Sequence, residues 1–258
     1  MALIRFLERP KLEKPLLIEG LPGIGNVGKL AAEHLIDELS AKRFVEICSG
    51  HFPPQVVVES GLLRMVSNSL YYTKAPSVKG NRRGRWKDLI ILTGDYQGLT
   101  PEGQYELSSE IIDLVKGLGV KRIYTLGGYG TQRLVDHPSV LGAATSPALV
   151  KEAAKYSVVF SDEPKGGIIG ASGLLLGLGA VHGLEGTCLM GETSGYLADP
   201  KSARAVLDVL TRMLNLHIGF SKLEEKAHEM DQITAKMLEM GKRATETIPR
   251  AEDLGYIG

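Results

Sequence analysis

Three glycines, Gly23, Gly25 and Gly28, have the Gly-x-Gly-x-x-Gly spacing of loops that bind the pyrophosphate of a dinucleotide. They lie between a predicted strand and a predicted helix, where glycines let backbone amides approach phosphate oxygens. Glu46 follows Gly28 by 18 residues, about the distance of the acid that binds the ribose in such sites. Pro22, however, removes one amide from the loop. A tight turn between strand and helix explains the same glycines without a cofactor, and we favour this interpretation.

Three further glycine clusters each follow a predicted strand directly. They occupy residues 94–98, 127–130 and 191–196. The carboxyl ends of parallel strands meet at one edge of a sheet, where ligands of such folds bind. A pocket lined by Asp95, Tyr129 and Glu192 is therefore one prediction. The alternative, which we prefer, is that these glycines allow close packing and positive φ angles.

Side chains that commonly carry catalysis show no recognisable arrangement. No serine lies in a nucleophile elbow, and the six histidines have no metal-ligand spacing. The two cysteines, Cys48 and Cys188, also lack metal spacing and are typical of thiols in a reducing compartment. The residues therefore give no candidate for a catalytic residue, a metal ligand or a cofactor site, and the cysteines predict a cytoplasmic protein.

The elements that must position these residues alternate between strand and helix from residue 16 to residue 214. Strands are predicted at 16–19, 44–48, 55–59, 62–66, 69–73, 88–93, 122–126, 157–160 and 186–190. Helices are predicted at 27–39, 101–116, 146–156, 172–181 and 200–214. The strands at 62–66 and 69–73 are expected to form a hairpin around Ser67 and Asn68. This alternation predicts an α/β fold with a mainly parallel sheet that helices cover on both faces.

The segment after residue 216 is different in kind. Residues 221–240 are highly charged, yet Leu223, Met230 and Met237 recur every seven residues, with Ile233 alongside them. This pattern predicts an amphipathic helix. Methionine offers a deformable apolar surface that suits a partner. We therefore predict that these four side chains form an oligomer interface; packing on the protein's own sheet is the alternative.

Composition limits the classes of partner. The chain has 258 residues with 30 basic and 30 acidic side chains, so bulk charge does not hold it on nucleic acid or on a membrane. Its longest charge-free stretch, residues 166–184, is too rich in glycine for a membrane span. We divide the chain into an α/β core domain at 1–216, a C-terminal amphipathic helix at 217–243 and a flexible tail at 244–258.

A basic loop at residues 79–87 combines five cations with Trp86. Cations bind phosphates and tryptophan stacks on bases, so an RNA-binding module through Arg82, Arg83, Arg85 and Trp86 is one hypothesis. A solvated surface loop explains the same residues. Because the chain as a whole is neutral, we favour the surface loop and do not expect nucleic acid as a partner.

Six blocks occur in order along most of the chain. They are GLPGIGNVG at 20–28, FPPQ at 52–55, GDYQG at 94–98, GGYG at 127–130, GLLLGLG at 173–179 and GETSGY at 191–196. Together they resemble the proteasome assembly chaperone family, in particular the archaeal homologues of its second eukaryotic subunit. The resemblance implies a three-layer α/β/α fold of the phosphorylase/hydrolase-like kind and no catalysis. It also implies self-association, for which we favour a tetramer, and binding to proteasome core α-subunits without ATP.

The resemblance also assigns a role to the C-terminal tail, which in this family ends in a hydrophobic residue, a tyrosine and one last residue. Here the sequence ends Leu254-Gly255-Tyr256-Ile257-Gly258, with the tyrosine third from the end. The resemblance implies that Leu254, Tyr256 and Ile257 supply apolar contacts between neighbouring α-subunits. The carboxylate of Gly258 would pair with a lysine of the pocket.

One other function stays open from the residues alone. The glycine-rich loops favour a nucleoside- or dinucleotide-binding enzyme with its pocket at the carboxyl edge of the sheet. A homologous chaperone is a further candidate partner. We therefore expect an ATP-independent proteasome assembly chaperone or activator, with the nucleoside-binding enzyme as its alternative.

Overall fold

The computed structural model describes residues 2–74, 86–160 and 166–246, with side chains as far as residue 236. The cations Lys79, Arg82, Arg83 and Arg85 of the basic loop lie outside the described residues. So do the predicted docking residues Leu254, Tyr256, Ile257 and Gly258, and so does the side chain of Met237.

The described residues form ten strands and six α-helices. The strands are β1 (Leu3–Phe6), β2 (Leu16–Glu19), β3 (Lys42–Cys48), β4 (Val56–Glu59), β5 (Leu62–Met65), β6 (Asn68–Thr73), β7 (Leu89–Gly94), β8 (Arg122–Gly130), β9 (Val140–Ala144) and β10 (Glu185–Thr193). The helices are α1 (Val27–Glu38), α2 (Pro101–Gly117), α3 (Pro147–Ala154), α4 (Ala171–Val181), α5 (Pro200–Leu214) and α6 (Ser221–Glu246).

Local sequence signals explain where several helices begin. In α2, α3 and α5 a proline occupies the first turn, where its missing amide costs no hydrogen bond. The residue before each proline caps the helix through its side chain. Thr100 accepts from the amide of Gly103, and Asp199 accepts from the amide of Ser202.

Eight strands form one sheet in the order β1-β3-β6-β7-β2-β8-β10-β9, which confirms the predicted α/β fold. The four central strands, β7, β2, β8 and β10, are parallel. The strands outside them are antiparallel. Parallel pairing is thus confined to the centre of the sheet.

Two strand predictions are wrong. The predicted hairpin of 62–66 with 69–73 does not form, because β5 pairs with β4 while β6 pairs with β3 and β7. Residues 157–160 make only an isolated bridge, between Val159 and Leu141. Both sequences have strand composition, but the available partner decides whether a strand forms.

The core lies on both faces of the sheet, so the fold has three layers. Leu16 and Ile18 of β2 pack with α1 and α5, whereas Leu17 between them packs with α2 and α4. Alternate side chains of a strand point to opposite faces, which explains why β2 is apolar without interruption. Within the part of the chain that the structure describes, no helix is both long and apolar enough to cross a bilayer.

Candidate functional site

The four glycine-rich loops meet at the carboxyl edge of the central sheet. Residues 20–26 follow β2, and the blocks at 94–98, 127–130 and 191–196 include or follow the ends of β7, β8 and β10. These strands are parallel neighbours, so their carboxyl ends lie side by side. The sequence-based prediction that the glycine loops share one edge is correct.

Most glycines of the first loop, at residues 20–28, lie in close contact with neighbouring backbone and side chains. A Cβ atom on Gly28 would lie 2.1 Å from the carbonyl oxygen of Leu126, so α1 can begin against β8 only with glycine there. Gly25 has a left-handed φ of 60°. Its carbonyl accepts from the amide of Asp199 at 2.9 Å, and Gly128 lies directly against the carbonyl of Ile24. Neighbouring segments therefore pack against Gly25 and Gly28, which agrees with the interpretation of these glycines as packing residues.

Glu46, the candidate ribose-binding acid, lies far from that loop. It is on β3, and the strands β6 and β7 separate β3 from β2. Its carboxylate pairs instead with Arg5, at 2.5 Å, and with Arg43, at 3.8 Å. The spacing along the sequence predicted the wrong position for Glu46, because the strand after the first helix is not the neighbour of the strand before it.

Gln97 links two loops at the edge of the sheet. Its side-chain nitrogen donates to the carbonyl of Pro22 at 2.7 Å. Its side-chain oxygen accepts from the amide of Ala171 at 2.8 Å, at the beginning of α4. One amide thus satisfies backbone groups on two different segments, and the block at 94–98 is fixed between them.

Asp95 fixes the β4–β5 hairpin to the same edge. Both its oxygens accept from the guanidinium of Arg64, at 2.6 and 3.0 Å, and one also accepts from the amide of Ser67 at 3.0 Å. Burial by itself would raise the pKa of Asp95. The hydrogen bonds from Arg64 and Ser67 outweigh burial, and the pKa lies below its ordinary value.

Glu19 is a buried acid directly beneath this edge. It is the last residue of β2 and has no solvent exposure. Its carboxylate accepts from the amide of Leu21 at 2.9 Å and from the hydroxyl of Ser172 at 3.0 Å. Burial raises the pKa of Glu19 to about 7, and these two hydrogen bonds oppose the rise.

A cavity of about 630 Å³ opens over β8, β9 and β10. Tyr129, Tyr196 and Gln132 line it together with Ile24 and Met190. This volume falls within the range of small-molecule pockets. Among the described residues, no three His, Cys, Asp or Glu side chains lie where they could hold a metal ion.

The predicted pocket of Asp95, Tyr129 and Glu192 does not form. Tyr129 lines the cavity, but Asp95 and Glu192 do not. Asp95 is bound to Arg64, and Glu192 accepts from the amide of Ser139 at 3.0 Å. Both carboxylates are thus engaged with other elements of the fold.

The helix α6 is held against the core along its first three turns. Lys222 pairs with Asp37 at 3.2 Å, and Lys201 pairs with Asp231 at 2.8 Å. Just before the helix, the carbonyl of Gly219 lies 2.7 Å from Nε2 of His34. These contacts tie α6 to α1 and α5.

Three of the four predicted interface residues of α6 have described side chains, and these lie in different environments. Leu223 is only 1% exposed and belongs to the chain's own core, so its assignment to an oligomer interface is wrong. Met230 is half-buried in a cavity between α6 and the beginning of α5. Ile233 is 43% exposed. The three residues share one helical stripe, but the core covers only its first part.

Trp86 does not form a stacking platform. The side chain is 9% exposed and packs with Leu89 and Ile91 in the core. A base could not stack on an indole in that position. The structure therefore contradicts the role of Trp86 in the RNA-binding hypothesis.

Glu19, Arg64 and Gln97 organise the edge, and the sequence analysis did not single them out. One feature of the sequence could have indicated Glu19: it is a charged residue directly after three apolar residues of a buried strand. Arg64 and Gln97 gave none, because their partners are 31 and 74 or 75 residues away in the chain.

Comparison with known proteins gives a consistent result. The model of the PAC2 family matches residues 17–238. The protein MJ1210 of Methanocaldococcus jannaschii is 41% identical over 252 residues, which are 96% of this chain and 93% of that protein. The crystal structure of Pyrococcus furiosus PbaB, an archaeal proteasome activator, is 40% identical with a TM-score of 0.85 and covers 92% of this chain and 98% of that one. PbaA of the same organism, an archaeal homolog of proteasome-assembly chaperone, is 28% identical with a TM-score of 0.74 over 95% of each chain.

Proposed function

The chain belongs to the PAC2 family, and from this premise we propose that it is an ATP-independent assembly chaperone or activator of the proteasome core. The observation that carries the proposal is the similarity to the archaeal proteasome activator PbaB, which extends over nearly the whole chain. The proposal places the protein in the cytoplasm, where its two free cysteines stay reduced.

We propose that the protein acts by binding and catalyses no reaction. The packing of the glycine-rich turns on one another supports this, because several of their backbone groups are bonded within the protein. The amide of Asn26 donates to the carbonyl of Gly23 at 2.9 Å, and the amide of Thr131 donates to the carbonyl of Thr193 at 2.8 Å. Such groups stabilise the fold and are not free to bind a phosphate.

The proposed contact with the proteasome is the C-terminal tail. The helix α6 continues to Glu246, roughly 22 Å beyond its ion pair at Asp231. We propose that Leu254, Tyr256 and Ile257 then bind in a groove between neighbouring α-subunits, while the carboxylate of Gly258 pairs with a lysine. An aromatic ring buries a large apolar area at low conformational cost, which makes Tyr256 the main anchor.

We propose that the protein is a homo-oligomer and that the exposed part of α6 contributes to it. Ile233 and Met237 lie four residues apart and therefore on one side of the helix. Several tails on one oligomer would bind a ring with several pockets about 10² to 10⁴ times more tightly than one tail. Ile233→Asp should weaken the oligomer, whereas Gln232→Asp, the same charge on the neighbouring exposed position, should not.

The tail is tested by changing its side chains without changing its length. We expect replacement of Leu254, Tyr256 and Ile257 by serine to abolish binding to α-subunit rings in a sedimentation assay without ATP. The matched control replaces Ala244, Thr245 and Thr247 by serine and should bind as the unchanged protein does. Undiminished binding of the first variant would remove the tail from the mechanism.

The cavity supports a second candidate function, a small-molecule site at the carboxyl edge. It has the volume of a ligand pocket and presents Tyr129 and Tyr196, whose rings can stack on a nucleobase. Thermal unfolding should then shift upward with a nucleoside, and Ala143→Leu, which enlarges a side chain that lines the cavity, should remove the shift. Equal unfolding temperatures with and without nucleosides would exclude this site for that class of ligand.

A further inference from the structure

The β4–β5 hairpin has two faces of opposite character. Cross-strand partners in an antiparallel pair point to the same side, and successive residues alternate. The register pairs Val56 with Met65 and Val58 with Leu63, which places these four side chains on one face. The pairs Val57–Arg64 and Glu59–Leu62 form the other face.

The second face is the one that contacts the protein. Val57 packs against the core beneath the hairpin. Arg64 is bonded to Asp95 on the loop after β7, and it also bonds Glu59 at 2.8 Å. The charged face of the hairpin is therefore turned toward the body of the molecule.

The first face is apolar and turned toward solvent. Its four side chains are 48% (Val56), 64% (Val58), 71% (Leu63) and 58% (Met65) exposed. A hairpin at a protein surface normally turns its polar side chains to water, and this one does the reverse. Contiguous exposed apolar surface of this kind, on the order of 400 Å², marks an interaction site.

We propose that this outward face packs on the same face of a second copy of the chain. Interfaces with transient partners are about as polar as the rest of a protein surface, whereas the interfaces of homodimers are more apolar. Val56, Val58, Leu63 and Met65 carry no charge and no strong hydrogen-bonding group, so the face has the composition of the homodimer class.

The dimensions of the face suit the centre of a self-paired interface. Each copy contributes on the order of 400 Å² of apolar surface, about half of what a stable interface of standard size buries per partner. Two flat hairpins related by a two-fold axis can stack face to face at about 10 Å, as sheets do in a sandwich. The apolar face is then the centre of the interface, and surrounding polar residues complete it.

The hairpin face and the exposed part of α6 are different surfaces. If both contacts are two-fold and their axes are perpendicular and intersect, they generate a closed tetramer with two kinds of interface. This consequence rests on the self-association through α6 proposed above, whereas the hairpin contact stands by itself. The binding of proteasome subunits does not enter either contact.

The test measures the mass of the full-length protein by sedimentation velocity at one fixed concentration. Leu63→Lys places a charge in the outward face, and Leu62→Lys places it on the other face of the same strand. The two leucines are equally exposed, 71% and 75%, so they form a matched pair. We expect Leu63→Lys to halve the mass and Leu62→Lys to leave it unchanged.

Circular dichroism shows whether each variant is folded. Val58→Thr repeats the sedimentation test, because threonine places a hydroxyl in the outward face and still favours strands. The proposal is overturned if Leu63→Lys keeps the mass of the unchanged protein or if the unchanged protein is a monomer. It is also overturned if Leu63→Lys keeps the mass but loses binding to α-subunit rings, because the face then belongs to a different partner. A halved mass with intact binding to those rings supports the hairpin contact. A halved mass together with no proteasome binding by any variant, the unchanged protein included, supports the hairpin contact and contradicts the proposed function.

Discussion

The buried carboxyl of Glu19 provides a quantitative test of how the carboxyl edge of the sheet is stabilised. Burial raises its pKa from an ordinary value of 4.5 to about 7. The folded protein therefore binds this proton more tightly than the unfolded chain does. Between pH 4.5 and pH 7 the folded state carries more protons, so the free energy of unfolding falls as the pH rises.

The size of the effect follows from the shift in pKa. Each unit corresponds to about 1.4 kcal/mol, so Glu19 should cost the folded protein about 3 kcal/mol at pH 8 and nothing below pH 4.5. Cys188, which lies near Glu19, does not add to this change. Burial raises the pKa of Cys188 to about 12, so the thiol stays protonated throughout.

Glu19→Gln removes the titration and keeps the hydrogen bonds. The amide oxygen can accept from the amide of Leu21, and the hydroxyl of Ser172 can rotate to accept from the amide nitrogen. We expect the variant to be more stable than the unchanged protein by up to about 3 kcal/mol at pH 8 and by only about 1 kcal/mol at pH 5. Urea denaturation followed by circular dichroism, from pH 5 to pH 8.5 at one protein concentration, measures this difference.

The difference between the two proteins cancels the titration of every other group. Glu225→Gln, at an exposed position of α6, serves as the control and should show no such trend. A difference between Glu19→Gln and the unchanged protein that is constant across this pH range would refute the reasoning. It would mean that Glu19 is stabilised as a carboxylate in spite of its burial.

Three further predictions concern packing and the ion pair between Arg64 and Asp95. Gly28→Ala should destabilise the protein by about 3 kcal/mol in urea denaturation, because its Cβ would lie 2.1 Å from the Leu126 carbonyl oxygen. A Cβ atom on Gly177 would meet no atom beyond its own stretch of α4 within 4 Å, so Gly177→Ala should instead stabilise α4 by up to about 1 kcal/mol. Equal effects of the two substitutions would contradict the packing explanation. Leu223→Ala should cost about 2 to 5 kcal/mol without changing the mass in sedimentation, and a dissociated oligomer would restore its role as an interface residue. Arg64→Gln should speed hydrogen exchange of the hairpin amides, and unchanged exchange would show that the hairpin does not depend on Asp95.

The candidate site was only partly predictable. The convergence of the glycine loops followed from the rule that parallel strands end at one edge, and it is correct. The nature of that edge did not follow. Gln97 and Asp95 act through Pro22, Ala171 and Arg64, and contacts at such separations in sequence leave no periodic signal.

The C-terminal helix shows the same limit. Heptad spacing placed Leu223, Met230 and Met237 on one stripe, and the helix is present. The sequence cannot show how far along this stripe the core extends, because the answer depends on α1 and α5 from distant parts of the chain. The core covers Leu223 and leaves Ile233 exposed, so one stripe contains two environments.

The amino-acid sequence by itself determined the identity of most elements, the beginnings of the proline-capped helices and the family resemblance. These are local properties, set by side-chain periodicity and by hydrogen bonds within one turn. The tertiary structure decided the order of the strands, the pairing of β5 with β4 and the outward direction of the hairpin's apolar face. Alternation along a strand defines two faces but does not say which one is covered, because that depends on contacts made only when the whole chain folds.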